Sequence, residues 1–338
     1  MRLGVDVMGG DNAPHEILKG CIACLPQLPG DDQLVLVGDA AVIRRTLADA
    51  RIDDPRVIVV AATEVVGMDE PPVEAIRTKK DSSLVVMARM ASPKEPNRLD
   101  AIISAGNTGA MVSAAQMHMR RLPNVVRPGI AVTVPTFAGA VVLIDVGANI
   151  EPKPLHLAQY GVMGDIYARQ ILGVANPRVA IMNVGGEEQK GTEDMQQARD
   201  LLRSHEGLNF TGFVEGRGVF DGEADVVITD GVVGNVMIKL AEGLSSGIFR
   251  ALQREIRETD PSLAERLAPV VKNLYAKHDY HEYGGAPLLG VNGVCLISHG
   301  SSIARTITNS ILRARAFVQA GVNEAMSRQL ARMEEAPA

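Results

Sequence analysis

Ala101-Ile102-Ile103-Ser104-Ala105-Gly106-Asn107-Thr108-Gly109-Ala110 reads as a strand that passes, through a turn of small hydrogen-bonding residues, directly into a helix. Its first residues are apolar without polar alternation, which suits a strand covered on both faces. The segment that follows, 107–121, carries apolar side chains three and four apart. Strand, glycine turn and helix in that order form the unit of a parallel sheet with crossover helices.

The same order recurs along the chain. Further strand-like runs occupy 3–8, 33–37, 56–61, 178–184, 210–214, 225–229 and 294–298, and helical spacing occupies 40–50, 82–91, 153–172, 193–204 and 233–258. One pair departs from this order: 129–135 and 140–145 are separated only by Thr136-Phe137-Ala138-Gly139, which predicts an antiparallel hairpin added to the mostly parallel sheet. The expected fold class is α/β. No clean linker or repeat divides the chain, so residues 1–338 read as a single elaborated α/β unit with a soft internal boundary.

Composition narrows the function. The chain carries 40 acidic and 34 basic residues, a formal net charge of -6, and only 3% aromatic residues. Coating nucleic acid needs clustered Lys and Arg and stacking aromatics, so that class is excluded. Cys21, Cys24 and Cys295 cannot build a disulfide framework and point to a reducing, cytoplasmic setting. The opening Met1-Arg2-Leu3-Gly4-Val5-Asp6 meets an acid too early for a signal peptide and reads as a first strand.

Three strand ends enter helices through loops rich in Gly, Ser, Thr and Asn: 104–110, 229–235 and 298–302. In a parallel sheet all three lie at the carboxyl edge, where ligands bind and where helix N-termini favour anions. The loop Asp6-Val7-Met8-Gly9-Gly10-Asp11-Asn12-Ala13-Pro14 adds two carboxylates and an amide to that edge. Segment 183–193 adds Lys190, and Asp145-Val146-Gly147-Ala148-Asn149 adds an acid and an amide. Glycine turns and helix caps alone would use fewer polar residues per loop. No dinucleotide fingerprint, Walker loop or nucleophile elbow is present, no His/Cys/Asp set has structural-zinc spacing, and no cofactor or metal is expected.

Taken together, 6–14, 104–110, Arg127-Pro128, 145–149, 187–191, 224–243 and the run EYGGAPLLGVNGVCLISHGSS over 282–302 resemble the PlsX family of phosphate acyltransferases. The order of segments matches nearly end to end; Gly186 and Gly218 stand where the family usually has acids. The resemblance implies a three-layer α/β/α fold similar to phosphotransacetylases and isopropylmalate dehydrogenases. It implies a homodimer that transfers a fatty acyl group from acyl-acyl-carrier-protein to inorganic phosphate at the inner face of the cell membrane. The acyl phosphate would then pass to a membrane glycerol-3-phosphate acyltransferase in phospholipid synthesis.

That reaction needs no nucleophile from the protein. Phosphate must be desolvated and oriented, and donors must meet the oxyanion. The candidates for holding phosphate are the amides of Asn107, Thr108, Gly109, Ser301 and Ser302, with Lys190, Arg127 and Asn149, and with Asp6 and Asp11 at the same edge. Asn235 and His299 are candidates for polarising the thioester carbonyl or protonating the thiolate, and Asp230 for orienting one of them. The cysteines read as structural, because Cys21 and Cys24 lie within a helical stretch and Cys295 within a strand.

Segment 262–279 carries Leu263, Leu267, Val270, Val271 and Leu274 on one helix face with a basic opposite side, and so fits either an anionic membrane surface or a dimer contact. Arg250, Arg254 and Arg257, or Arg313 and Arg315, are candidate landing sites for an acidic carrier. An acyl-CoA-using phosphotransacetylase and a non-catalytic membrane scaffold for lipid synthesis are the alternatives. A decarboxylating dehydrogenase would need paired metal-binding Asp residues, which the sequence lacks.

Overall fold

The computed structural model describes residues 1–277 and 284–334 and contains one sheet of 11 strands. The first part of the chain forms β1 (Arg2–Asp6), α1 (His15–Cys24), β2 (Gln33–Gly38), α2 (Ala40–Asp49), β3 (Val57–Ala61), α3 (Pro72–Thr78), α4 (Ser83–Met90), β4 (Ala101–Ser104) and α5 (Thr108–His118). The second forms the hairpin β5 (Gly129–Thr136) and β6 (Gly139–Ile144), then α6 (Pro154–Leu172), β7 (Val179–Met182), α7 (Glu193–Ser204), β8 (Phe210–Val214), α8 (Gly216–Asp221), β9 (Val226–Ile228) and α9 (Gly231–Thr259). After α10 (Pro261–Lys277) the chain returns as β10 (Ala286–Leu289) and β11 (Val294–Ile297) and closes with α11 (Ala304–Gln319) and α12 (Val322–Glu334). Strand order is β3-β2-β1-β4-β11-β10-β5-β6-β9-β7-β8.

Side chains alternate across the strands, and the helices cover both faces. On one face a single core joins Leu3, Val5, Leu34 and Ile103 to α1, α6, α7, α11 and α12, and runs under both halves of the sheet. On the other face there are two separate clusters: α3, α4 and α5 pack on Val35, Val37 and Ile102, while Val219 and Met237 pack on Val141, Leu143 and Val227. Val146 touches both clusters, so the loop after β6 lies at their junction.

The expected parallel strands and the hairpin are present, and one expectation about them is corrected. The hairpin sits in the middle of the sheet, and β10 pairs antiparallel with both β11 and β5. Three antiparallel junctions in succession reverse the direction, so β6, β9, β7 and β8 run opposite to β1, β2, β3, β4 and β11. The glycine-rich joins therefore occupy two opposite edges of the sheet, not one. β10 escapes a sequence reading because Ala-Pro-Leu-Leu is short and contains a proline where a ladder donor is normally needed.

The predicted amphipathic segment 262–279 extends beyond α10, and its last two residues lie outside the described residues, as do Glu282, Tyr283 and 335–338. Within α10, Val270 and Leu274 are exposed, Leu263 and Leu267 are half-buried, and Val271 is buried. Val271 is thus corrected from a membrane-surface residue to a packing residue, since it lies on the inward side of the helix. All three cysteines are buried and unpaired, and burial pushes their thiols up, that of Cys24 to about 12. A buried neutral thiol is a poor nucleophile.

Helix α6 approaches the sheet through glycines: a Cβ at Gly164 would lie 2.5 Å from Val226 Cγ1. Gly164→Val is expected to cost about 1–3 kcal/mol through overpacking. The readout is a lower urea midpoint at unchanged slope.

Candidate active site

At the carboxyl edge of β1, β4 and β11, three loops interlock. Asp11 N–H donates to Gly300 O at 2.8 Å, and the Asn12 amide donates to Ser301 O at 3.0 Å and Ser302 O at 3.2 Å. Gly10, at φ +112°, lets the first loop pass between Ala105 and Gly300, where a Cβ would come within about 3 Å of both. Asp6 lies beneath these loops, buried, accepting from Ser104 Oγ at 2.7 Å and Met8 N–H at 3.1 Å; burial pushes its carboxyl up. Asn107 caps α5 through Ala110 N–H at 3.0 Å, and its Nδ2 donates to the carbonyls of Gly67, Met68 and Glu70.

Of the expected phosphate cradle at this edge, the Ser301 and Ser302 half is closed. Ser301 N–H and Oγ both engage His299 Nδ1, at 3.2 and 2.7 Å, while Ser302 N–H and Oγ donate to His299 O at 2.9 and 2.6 Å. The Ser301 and Ser302 amides are therefore spent inside their own turn, and Ser302 is fully buried. Asp6 and Asn107 are occupied in holding loops together. Thr108, Asp11, His299 and Ser301 are exposed, and Gly109 packs against Pro72.

At the opposite edge, β6, β9 and β7 stand side by side with Ile144 and Ile181 both in register with Ile228. Loops 145–149, 229–231 and 183–192 consequently leave the sheet as neighbours, about 4.8 Å apart per strand. Gly231 N–H donates to Asn149 O at 2.8 Å, and a Cβ at Gly234 would fall 2.1 Å from Asp145 O, so only glycine fits there. The Asn149 amide donates to Pro128 O at 2.7 Å, which ties in Arg127. Asp230 caps α9, accepting from Val232 and Val233 N–H at 2.9 and 2.8 Å.

The structure thus divides the predicted residues into two groups. Arg127, Asn149, Lys190, Asp230 and Asn235 share one edge, while Asp6, Asp11, Asn107, Thr108, Gly109, His299, Ser301 and Ser302 share the other. In the first group, Lys190 Nζ has a single weak ion pair, with exposed Glu187 at 3.9 Å. Among the described residues, exposed Arg127 has no acidic partner and the half-buried Asn235 amide has no hydrogen-bond partner. His156, at the start of α6, has its imidazole pKa lowered by burial and then by the charges of Arg127 and Lys153. Two cations and an open amide donor around a loop junction suit an oxyanion substrate.

Two residues at this edge lie in segments that the sequence singles out, yet the sequence assigns neither of them a role. Asp145 is fully buried and accepts from the N–H groups of Ile130 (2.9 Å), Gly147 (3.2 Å), Ala148 (3.0 Å) and Asn149 (2.6 Å), and from Asn149 Nδ2 (3.2 Å). Even so, burial holds its carboxyl above the usual carboxylate range. Asn183 is buried against Gly191, its Oδ1 taking the Val184 N–H at 2.8 Å while Nδ2 has no partner among the described residues. An acid at a strand end followed by small residues with free amides was the available signal for Asp145. Nothing local marked Asn183. Among the described residues no group of three His, Cys, Asp or Glu is placed to hold a metal ion.

The chain matches the family model described as "Fatty acid synthesis protein" over residues 1–325. It is 44% identical over 339 aligned positions to a phosphate acyltransferase of Desulfitobacterium hafniense (strain DSM 10664 / DCB-2), covering 99% of each chain. It is 45% identical over 322 positions to that of Heliobacterium modesticaldum (strain ATCC 51547 / Ice1), covering 94% of each. Solved structures with the same fold include a phosphotransacetylase from Streptococcus pyogenes (TM-score 0.61, 14% identity, 94% of each chain) and the EutD phosphotransacetylase from Staphylococcus aureus (TM-score 0.59, 14% identity, 94% of each).

Asp145→Asn replaces a two-oxygen acceptor with a single oxygen and a donor that faces other donors. It is expected to cost about 1.5–3 kcal/mol, the value of hydrogen bonds to a charged group. Chemical denaturation of the variant, which should also lose acyl transfer, checks this.

Proposed function

This chain belongs to the phosphate acyltransferase family, and from that premise we propose that its acyl donor is an acyl-acyl-carrier-protein and its product an acyl phosphate for phospholipid synthesis. The observation that carries the reading is the junction of loops 145–149, 229–231 and 183–192, with Lys190, Arg127 and Asn235 around it and no nucleophile of the protein's own. Lys190 and Arg127 hold the phosphate. One of its oxygens attacks the thioester carbon, the Asn235 amide donates to the developing oxyanion, and the carrier's thiolate departs and takes up a proton. Asp230 and Asp145 act by position, one capping α9 and the other fixing the loop that meets it. His299 belongs to the other edge, where its Nδ1 is engaged by Ser301, so this scheme gives it no part in proton transfer.

The surfaces favour the same partners. Arg250, Arg254 and Arg257 lie exposed along α9, spaced for one side of the helix, and suit an acidic carrier. Arg313 and Arg315 do not, because Arg313 hydrogen-bonds Thr133 and Tyr167, and Arg315 pairs with buried Asp32 at 2.5 Å. Nearer the start of α9, Leu240, Leu244, Ile248 and Leu252 are exposed at intervals of four, an apolar stripe for a second copy of the chain. Val270 and Leu274 on α10 supply the contact with the inner face of the membrane.

Phosphate with acyl-carrier-protein or acyl-CoA thioester, followed by hydroxamate trapping, separates the readings. Acyl phosphate from the carrier substrate is expected, with Lys190→Ala and Asn235→Ala each lowering kcat about 10²–10³-fold. Turnover of acyl-CoA alone would favour a phosphotransacetylase, and no turnover a scaffold. In flotation with anionic vesicles, Val270→Glu/Leu274→Glu is expected to abolish binding; undiminished binding would remove α10 from the membrane contact.

A further inference from the structure

Around the polar junction of loops 145–149, 229–231 and 183–192 stand apolar side chains that the catalytic scheme leaves without a role. Ile150 is 71% exposed and Val184 81% exposed, and Val232, Val233 and Val236 at the start of α9 are also exposed. Single exposed aliphatics are ordinary, but here one stands within or directly after each loop of the junction. Ile150 follows Asn149, whose carbonyl accepts the Gly231 N–H, so it lies beside Val232. Extending the β7–β9 register past Ile181 and Ile228 sets Val184 level with Gly231. On α9, Asn235 follows Val232 by three residues, which makes the two neighbours on the helix surface.

We propose that Ile150, Val184 and Val232, with Val236 one turn further along, form the track that receives the acyl chain of the donor and so set its preferred length. This assignment rests on the reaction proposed above. A carbonyl held by Asn235 has an alkyl chain attached, and the chain must leave the polar junction across a surface. These residues provide the apolar surface next to that point. Contact with them desolvates methylenes, and each methylene removed from water contributes about 0.8 kcal/mol. Short acyl groups end before they reach the track. The residues therefore discriminate by chain length without touching the reacting atoms, and Val236 lies one turn before Leu240, so the track borders the stripe assigned to a second copy.

The test is a chain-length profile on the full protein, with hexadecanoyl and butyryl thioesters of the same carrier. Ile150→Ser/Val184→Ser alters two exposed loop positions. It is expected to lower kcat/KM for the hexadecanoyl donor about 10–100-fold, in line with the loss of a few methylene contacts. The butyryl rate should stay within about twofold. Phe137→Ser, which removes an equally exposed apolar side chain from the hairpin turn at the other edge, should leave both rates unchanged. Equal losses with both donors, or no loss with either, would overturn the track. A wild-type protein that turned over neither donor would overturn the proposed reaction and this assignment with it.

Discussion

The carboxylate of Asp145 is the constraint on which the candidate site depends. It lies at the end of a central strand, fully buried, and gathers four main-chain N–H groups and one side-chain amide from β5 and from the loop that follows it. An unpaired charge in that position would be untenable, and so would that many unpaired donors. Each makes the other possible, and the loop has one shape as a result. That shape leaves the Asn149 carbonyl for Gly231 and brings the Asp145 carbonyl against Gly234, which seats the start of α9. Asn235, next to Gly234, owes its place to this arrangement, and Arg127 is tied to it through the Asn149 amide on Pro128 O.

Much of the fold was legible in the sequence because buried parallel strands need unbroken apolar runs. The segments 101–104 and 225–229 show this directly, as does the hairpin signalled by Thr136-Phe137-Ala138-Gly139. What the sequence could not supply was direction. Strand polarity in a mixed sheet depends on how many antiparallel junctions intervene, and two of those junctions rest on Ala286-Pro287-Leu288-Leu289, four residues with no strand signature. Missing that strand placed every glycine loop on one edge.

The site was legible to a similar extent. The residue types that bind anions were picked out, because lysine, arginine and asparagine in glycine loops after strands are unusual enough to notice. Whether their donors were already used could not be read from the sequence. Ser301 and Ser302 look like an amide cradle in one dimension, yet their amides close on His299 two and three residues earlier. Asp145 shows the converse: its partners include Ile130, fifteen positions away, so only the folded hairpin reveals its role.

The strand β10 joins β11 to β5, which run in the same direction, through two register pairs on each side, and the hairpin β5–β6 then completes the reversal of polarity. On one face a continuous apolar core runs under the whole of this region, whereas on the other one cluster crosses β10 from Ile297 through Leu288 to Ile130 and meets the second cluster only beyond it, at the loop after β6. Mechanical rigidity is therefore unevenly distributed: one face acts as a backing plate, and the other is divided along a line. A force that spread or closed the divided face would bend the molecule about the shared core, and the Asp145 loop would be the first element to sense it.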